Sequence, residues 1–471
     1  MLRCEKQNVC AECFKYSAHC KDATVCKPVK KKLRSYPGLR YTSDGFDCAL
    51  PVAIDSHSVC SFGCLYCFSN NLIQHRENFS KEVGQTSLAM IDRILGGGGG
   101  KRGEQIRYAL NYHKKKNGYP TPIQLGAITD PLDNIERNQG WFLKFAEIVK
   151  KYDQPVRIST KGNLFLLDEY IDAVKDKPHL FRVHFSIITC DDAILAKIDK
   201  RAPSATERIE CMRRLEEVGV ETCLRFRPIL PGISDSTKNH PNAWKELIDM
   251  AHKAGCRNIS YEVGFVPGRQ TKDLKKKWKE IEQISGIPLN GIYKRFGKIQ
   301  ACMRPHHSWT EQIMFAIYDY CKELGWNIGV SDPCWKQLND YGCCCAISPE
   351  HKVFGNWQRE QGTEALLKAK NGKIITSKDV IPDWAYKTLA HDLINPGVGP
   401  KASFERRLVK WSDVLFQTWT ELGKERSPLQ YFQGAILPIG KLSDGDIQFK
   451  YVGLKRKNNK NTPYWKVNNG K

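Results

Sequence analysis

The feature that most constrains this chain is a recurrence of short β-branched or aromatic runs, each followed by residues with helical apolar periodicity. The runs fall at 49–54, 123–128, 156–159, 182–188, 220–226 and 259–265. Strands that alternate with helices cannot be joined as hairpins, so the pattern predicts a parallel sheet or barrel built from six strand-helix units. Ser204-Ala-Thr-Glu207 reads as a capping box that opens a helix burying Ile209, Met212 and Leu215, with Gly219 as its stop. Ser308-Trp-Thr-Glu311 predicts the same device for a helix burying Ile313, Ile317, Tyr320 and Leu324 before Gly325. A further short strand at 327–330 closes the series. From about Asn339 the rhythm is lost, and Trp384, Trp411, Trp419 and Trp465 stand among many Lys and Arg. The expected organisation is a Cys-rich extension at 1–44, an α/β partial barrel at 45–335, and a separate C-terminal region at 336–471.

Composition narrows the partners. With 471 residues, 41% apolar and 26% charged, the chain has ample core and is neither collagen-like nor wholly disordered. No stretch approaches the roughly 18 uncharged apolar residues of a membrane helix, and residues 1–20 lack the apolar core of a signal peptide, so a cytoplasmic protein without membrane contact is expected. Lys and Arg outnumber Asp and Glu by 73 to 51, and the net charge of +22 favours a polyanionic partner, nucleic acid first. Nineteen cysteines without a secretory signal read as metal ligands or reactive thiols rather than as disulfides.

Three of those thiols share one short loop directly after the first strand run, in Cys60-Ser-Phe-Gly-Cys64-Leu-Tyr-Cys67. Three cysteines can hold three irons of a [4Fe–4S] cluster and leave the fourth iron open to a non-protein ligand. The competing reading is half of a zinc knuckle, with His57 as the fourth ligand.

The C-x3-C-x2-C spacing with an aromatic before the last Cys resembles that of radical S-adenosylmethionine enzymes. The resemblance implies a partial parallel (β/α)6 TIM-like barrel of radical SAM type, with the cluster loop after its first strand. It also implies an open iron that chelates S-adenosylmethionine, whose reductive cleavage gives methionine and a 5′-deoxyadenosyl radical that takes hydrogen from substrate. An external electron donor such as flavodoxin or ferredoxin follows. Thr129-Asp130-Pro131, Ser159-Thr160-Lys161, His184-Phe185-Ser186-Ile187, Arg201-Ala-Pro-Ser-Ala-Thr-Glu-Arg208 and the segment from Arg227 to Asp235 resemble the spore photoproduct lyase-like branch. By that resemblance Cys60, Cys64 and Cys67 hold the cluster, Tyr66 lies near the adenine, and Lys161 and Ser186 contact S-adenosylmethionine. The lyase proper carries a hydrogen-donating cysteine just before its Thr-Ser-Asp segment, whereas this chain has Gly126-Ala127-Ile128-Thr129-Asp130 there. A thiol from elsewhere, such as Cys190, would have to serve.

Other segments carry further expectations. Cys10-Ala-Glu-Cys13, with Cys20 and Cys26 and with Cys4 and His19 nearby, reads as a second metal site for zinc or a second iron–sulfur cluster. Cys343-Cys344-Cys345, with Cys334 upstream, reads as auxiliary ligands that His351 completes, as a redox or hydrogen-donating thiol, or as buried small hydrophobes. The run 96–100 of five glycines reads as a mobile loop rather than a phosphate cradle, since no Gly-Lys-Ser or Gly-Lys-Thr follows. The tail at 453–471 has six Lys or Arg, no acidic residue, and Tyr464 and Trp465, a set suited to phosphates and base faces. The resulting expectation is a radical enzyme acting on a nucleic-acid base, a thymine derivative in DNA before RNA, by base modification, isomerisation or lyase-type repair. The competing readings are radical modification of RNA or a peptide, and a non-enzymatic zinc-stabilised nucleic-acid-binding protein.

Overall fold

In the computed structural model the described residues are 2–3, 27–28, 34–36, 38–41, 50, 52–67, 83–111, 114, 118–267, 271–288, 292–295, 302–332, 335–341, 343–355, 361–381, 383–386, 409–423, 427–432 and 434–454. Cys4, Cys10, Cys13, His19, Cys20, Cys26, Cys334 and the tail 455–471 lie outside them.

Eight strands form one sheet whose spatial order follows the chain: β1 (Leu39–Tyr41), β2 (Val52–Ile54), β3 (Ile123–Leu125), β4 (Val156–Thr160), β5 (Phe181–Ser186), β6 (Glu221–Ile229), β7 (Asn258–Val263) and β8 (Asn327–Val330). β2 to β8 pair in parallel and only the edge strand β1 is antiparallel. Among the described residues β1 and β8 do not pair, so the sheet is an open partial barrel with the α/β order expected from the sequence. The crossovers run through α1 (Leu88–Leu95), α2 (Gly100–Asn111), α3 (Trp141–Lys151), α4 (Asp168–Lys175), α5 (Asp192–Ile198), α6 (Ala205–Glu217), α7 (Ala243–Lys253), α8 (Lys272–Ser285) and α9 (His307–Glu323).

The period-2 alternation of side chains sorts each central strand into an apolar and a polar face. Val156, Ile158, Val183, Phe185, Leu224, Phe226, Ile259 and Tyr261 join the core with the helices. The intervening residues form cross-strand rows: Arg157, Arg182 and Glu221 in one, Ser159, His184 and Cys223 in the next, Ser186, Arg225, Ser260 and Gly329 in a third. The inner face is therefore polar and cationic, and its third row sits at the C-terminal ends of the strands, where barrel enzymes place their chemistry.

The capping box at the start of α6 forms as expected, with Glu207 N donating to Ser204 Oγ at 3.1 Å and Ser204 N to Glu207 Oε2 at 2.9 Å. α9 departs from expectation. It begins at His307 with His306 as its cap, because His306 Nδ1 accepts from Ser308 N and engages Ser308 Oγ at 2.7 Å, which diverts the hydroxyl from Glu311. The glycine run is a defined turn between α1 and α2. Gly97, Gly99 and Gly100 take positive φ, and Arg107 donates to the carbonyls of Ile94 and Gly98 across it.

Beyond the sheet, α10 (Gln361–Lys370), α11 (Trp411–Thr420), β9 (Ile436–Lys441) and β10 (Ile447–Tyr451) enclose a second apolar cluster around Leu366, Trp411, Trp419 and Phe449. Trp419 Nε1 donates to Ile447 O at 2.8 Å, and both Trp411 and Trp419 are buried core residues. No helix among the described residues is long and apolar enough to cross a membrane.

Candidate active site

The loop after β2 is fixed by backbone bonds. Asp55, the first residue past β2, accepts Ile128 N at 2.8 Å and Thr129 N at 3.1 Å on one carboxylate oxygen and pairs with Arg40 through the other. Thr129 Oγ1 donates to His57 O at 3.0 Å. Further along, Ser61 N donates to Asp133 Oδ2 at 2.7 Å, Asn134 N to Ser61 Oγ at 3.2 Å, and Leu65 N to Ile198 O at 3.0 Å. Gly63 takes φ +63° against Arg201, whose guanidinium would lie 2.5 Å from a Cβ at that position. Only glycine meets both demands.

These constraints turn Cys60, Cys64 and Cys67 toward one cavity of about 180 Å³ at the C-terminal mouth of the sheet. Its wall also carries Phe62, Tyr66, the stretch from Gly126 to Asp130, Ser159 to Lys161, Ser186, Arg225, Arg227, Glu262, Phe265 and Trp278. The predicted cluster cysteines Cys60, Cys64 and Cys67 and the predicted cofactor contacts Tyr66, Lys161 and Ser186 thus line a single space. Burial pushes the Cys60 and Cys64 thiols well above their ordinary value, with Asp133 and Asp130 adding to the effect at Cys60 and Asp199 at Cys64. Such thiols are inert unless a metal takes the proton's place. The donor set suits a multi-iron cluster better than a zinc ion. His57 does not join the three thiols, since it is buried away from the cavity wall and engages Gln85 through Nε2 at 3.2 Å.

Lys161 is held by its surroundings. Asp130 accepts from Lys161 N at 2.6 Å, Thr160 Oγ1 at 2.7 Å and Leu132 N at 3.0 Å. Lys161 Nζ donates to the Tyr66 oxygen, sits 4.6 Å from that ring's centre, and pairs with Asp199 Oδ2 at 3.0 Å. The same oxygen of Asp199 receives Arg208 Nη1 at 3.1 Å, and Arg208 is anchored on Ser186 O and Pro203 O, each at 2.6 Å. Burial opposes the charge on Asp199, yet Lys161 and Arg208 hold its carboxyl at about 2.

Asp199 is a residue that the sequence reading missed, and so are the guanidiniums across the cavity. Arg225 Nη1 lies 3.2 Å from Ser186 Oγ, while Arg227 reaches Glu262 only at 3.7 Å, and Glu262 is shared with Ser331 Oγ at 2.6 Å. Nε of Arg225 and of Arg227 is buried without a partner. Burial, and then the like charges of Arg227 and Arg157, push the Arg225 guanidinium well below its ordinary value. The available signal was charged residues at alternate positions inside an otherwise apolar strand.

Two expectations do not hold. Cys190 is not on the cavity wall, because its Sγ faces Glu246 Oε2 at 4.0 Å, so among the described residues the cavity's cysteines are the three of the loop. His351 does not complete a metal site with Cys343, Cys344 and Cys345. Its Nε2 engages Glu221 Oε2 at 3.1 Å and its Nδ1 accepts from Val353 N and Phe354 N. The triplet lies on the inner face of the sheet, where Ser260 Oγ donates to Cys344 O at 2.6 Å.

Comparison with known proteins adds a family likeness over part of the chain. Residues 55–242 match the Radical SAM superfamily model. No curated sequence matches the chain significantly. Among solved structures, spore photoproduct lyase complexed with dinucleoside spore photoproduct is similar at 15% identity and TM-score 0.44, over 61% of this chain and 78% of that one. Streptococcus suis SuiB bound to precursor peptide SuiA is similar at 12% identity and TM-score 0.35, over 60% of this chain and 49% of that one. The matched residues begin directly after β2 and run past the end of β6 with the three-cysteine loop inside them, so this part of the chain is similar to the radical SAM superfamily.

Proposed function

We propose that this chain uses S-adenosylmethionine and a [4Fe–4S] cluster held by Cys60, Cys64 and Cys67 to modify a base in DNA, a thymine derivative first. When bound, the pair supplies a 5′-deoxyadenosyl radical made by one-electron reduction. The chain's own residues do the rest. Tyr66, Lys161 and Ser186 receive the S-adenosylmethionine, with Lys161 oriented by Asp130 and Asp199. The observation that carries the substrate reading is the cavity's second wall. Arg225 and Arg227, backed by Arg157, face one carboxylate, Glu262, and a buried surplus of positive charge is favourable only against an anion such as a phosphodiester. Phe265 and Trp278 beside them offer ring faces for a base. The net charge of +22 supports a polyanion at longer range.

With Gly126 to Asp130 on the wall and no thiol among them, a substrate radical formed there rearranges or is quenched from outside. This favours isomerisation or modification over lyase-type repair. The test is anaerobic reconstitution, then incubation with S-adenosylmethionine, reductant and thymine-containing DNA, RNA or peptide, reading 5′-deoxyadenosine and the substrate mass. DNA-stimulated release of 5′-deoxyadenosine together with a mass change on a thymine is expected. Release that DNA leaves unchanged and peptide or RNA raises would overturn the substrate reading, while no release under any condition would overturn the enzyme reading.

A further inference from the structure

Outside the cavity, three side chains from three segments converge. Cys190 follows β5, His240 lies in the loop after β6, and Glu246 is in the first turn of α7. Their ligand atoms all lie within 4.8 Å of one another. Glu246 Oε2 is the hub, 2.6 Å from His240 Nδ1 and 4.0 Å from Cys190 Sγ. A tetrahedral zinc ion with bonds of about 2.0 to 2.3 Å sets its ligand atoms roughly 3.3 to 3.7 Å apart, between the two observed separations.

The loop that brings His240 here is itself fastened. Thr237 Oγ1 donates to Asp191 Oδ2 at 2.8 Å, His240 N donates to Thr237 Oγ1 at 3.1 Å, and Thr237 N donates to His240 O at 2.9 Å. Asp191, next to Cys190, also caps α5 by accepting Ala193 N and Ile194 N. The meeting of the two loops is thus fastened by the Thr237–Asp191 side-chain bond, which none of the three ligand side chains supplies. Cys190 is buried, while His240 and Glu246 are half-buried, 33% and 43% exposed, which gives an ion a path from solvent.

We propose that Cys190, His240 and Glu246 form a divalent-metal site for zinc, distinct from the cluster loop. A thiolate and a carboxylate balance the dication, the imidazole adds a neutral ligand, and mixed sulfur, nitrogen and oxygen donors match zinc rather than magnesium or calcium. Three protein ligands leave the fourth position to water. The ion joins the loops that extend from the strands bearing Ser186 and Arg227, so its role is to hold that side of the cavity mouth in place.

The test uses the full chain, anaerobically reconstituted with iron and sulfide, then equilibrated with zinc and dialysed. Wild type, Cys190→Ser and His240→Asn are compared for zinc and iron per chain and for zinc-dependent thermal stability. The other cysteines contribute a background common to all three. Loss of one zinc per chain in each variant, with iron and reductive S-adenosylmethionine cleavage retained, is the expected result. Because His240 is half-exposed, His240→Asn stays informative if Cys190→Ser fails to fold. Equal zinc content and an equal zinc-induced rise in Tm in wild type and His240→Asn would overturn the site. Loss of iron or of S-adenosylmethionine cleavage in wild type would instead count against the radical-enzyme reading.

Discussion

Asp199 Oδ2 holds the Lys161 ammonium at 3.0 Å, and the same oxygen receives Arg208 at 3.1 Å. A single buried carboxylate thereby fixes a cation on the cavity wall and ties it to the helix that follows. Replacing it by Asn leaves Lys161 and Arg208 buried without their counter-charge. Asp199→Asn is expected to cost about 3 to 5 kcal/mol in stability, read by denaturant unfolding. Because the carboxyl is held at about 2, below its ordinary 3.8, this contribution is complete above 3.8 and fades as pH falls toward 2. Unfolding curves for the wild type between pH 7 and 5 should show no loss from this group.

The three loop cysteines supply the second prediction. Replacing Cys60, Cys64 and Cys67 together by Ala is expected to abolish 5′-deoxyadenosine release and to remove the signal of the reduced cluster that responds to S-adenosylmethionine. Continued release by the triple variant would remove the cluster assignment.

Burial sets a pH dependence at His57. Its ring is pushed down from 6.5 to about 4 by burial alone, with Nδ1 unpartnered. The folded state keeps the ring neutral while the unfolded chain protonates it, so its contribution is complete above 6.5 and is lost as pH falls toward 4. The loss is up to about 1.4 kcal/mol per pH unit in that window. Substituting His57→Gln is expected to flatten the fall in stability between pH 7 and pH 5, whatever its effect at pH 7.

Gly63 offers a test of the loop itself. Ala there must adopt φ +63° and displace the Arg201 guanidinium. Gly63→Ala is expected to cost about 1 to 2 kcal/mol and to lower iron incorporation, measured as iron per chain after reconstitution.

The strands and the cysteine loop were legible because their signals are local. Short β-branched or aromatic runs mark β4 to β7 within a few residues each, and C-x3-C-x2-C spans only eight residues of chain. The pairing of Asp199 with Lys161 joins residues 38 apart, and no window of sequence carries it. Arg225 and Arg227 were visible as charges, but that Arg225 faces the cavity follows from its register with Ser186 and Ser260, and Arg227 lies where that register shifts, which only the assembled sheet fixes. The cap of α9 was misread because His306 competes for Ser308 through a side-chain nitrogen, a bond outside the usual capping rules. Beyond Asn339 the short helices and the hairpin share a core whose members, such as Leu366 and Phe449, are far apart in sequence.

The Cys343-to-Ala346 segment has a consequence for how the molecule can be cut. Cys344 O meets Ser260, Ala346 O receives Arg182 Nη2 at 3.1 Å, and a side chain at Gly329 would collide with the backbone of both Cys344 and Ala346. Chain that follows the last strand therefore returns across β8, β7 and β5 and acts as a cork in the open staves. A fragment ending at 335 would lack that cork, leaving Arg182 short of an acceptor and a groove over Gly329 open to water. The start of the C-terminal region is then part of how the barrel is sealed, and a minimal catalytic piece has to run past Ala346.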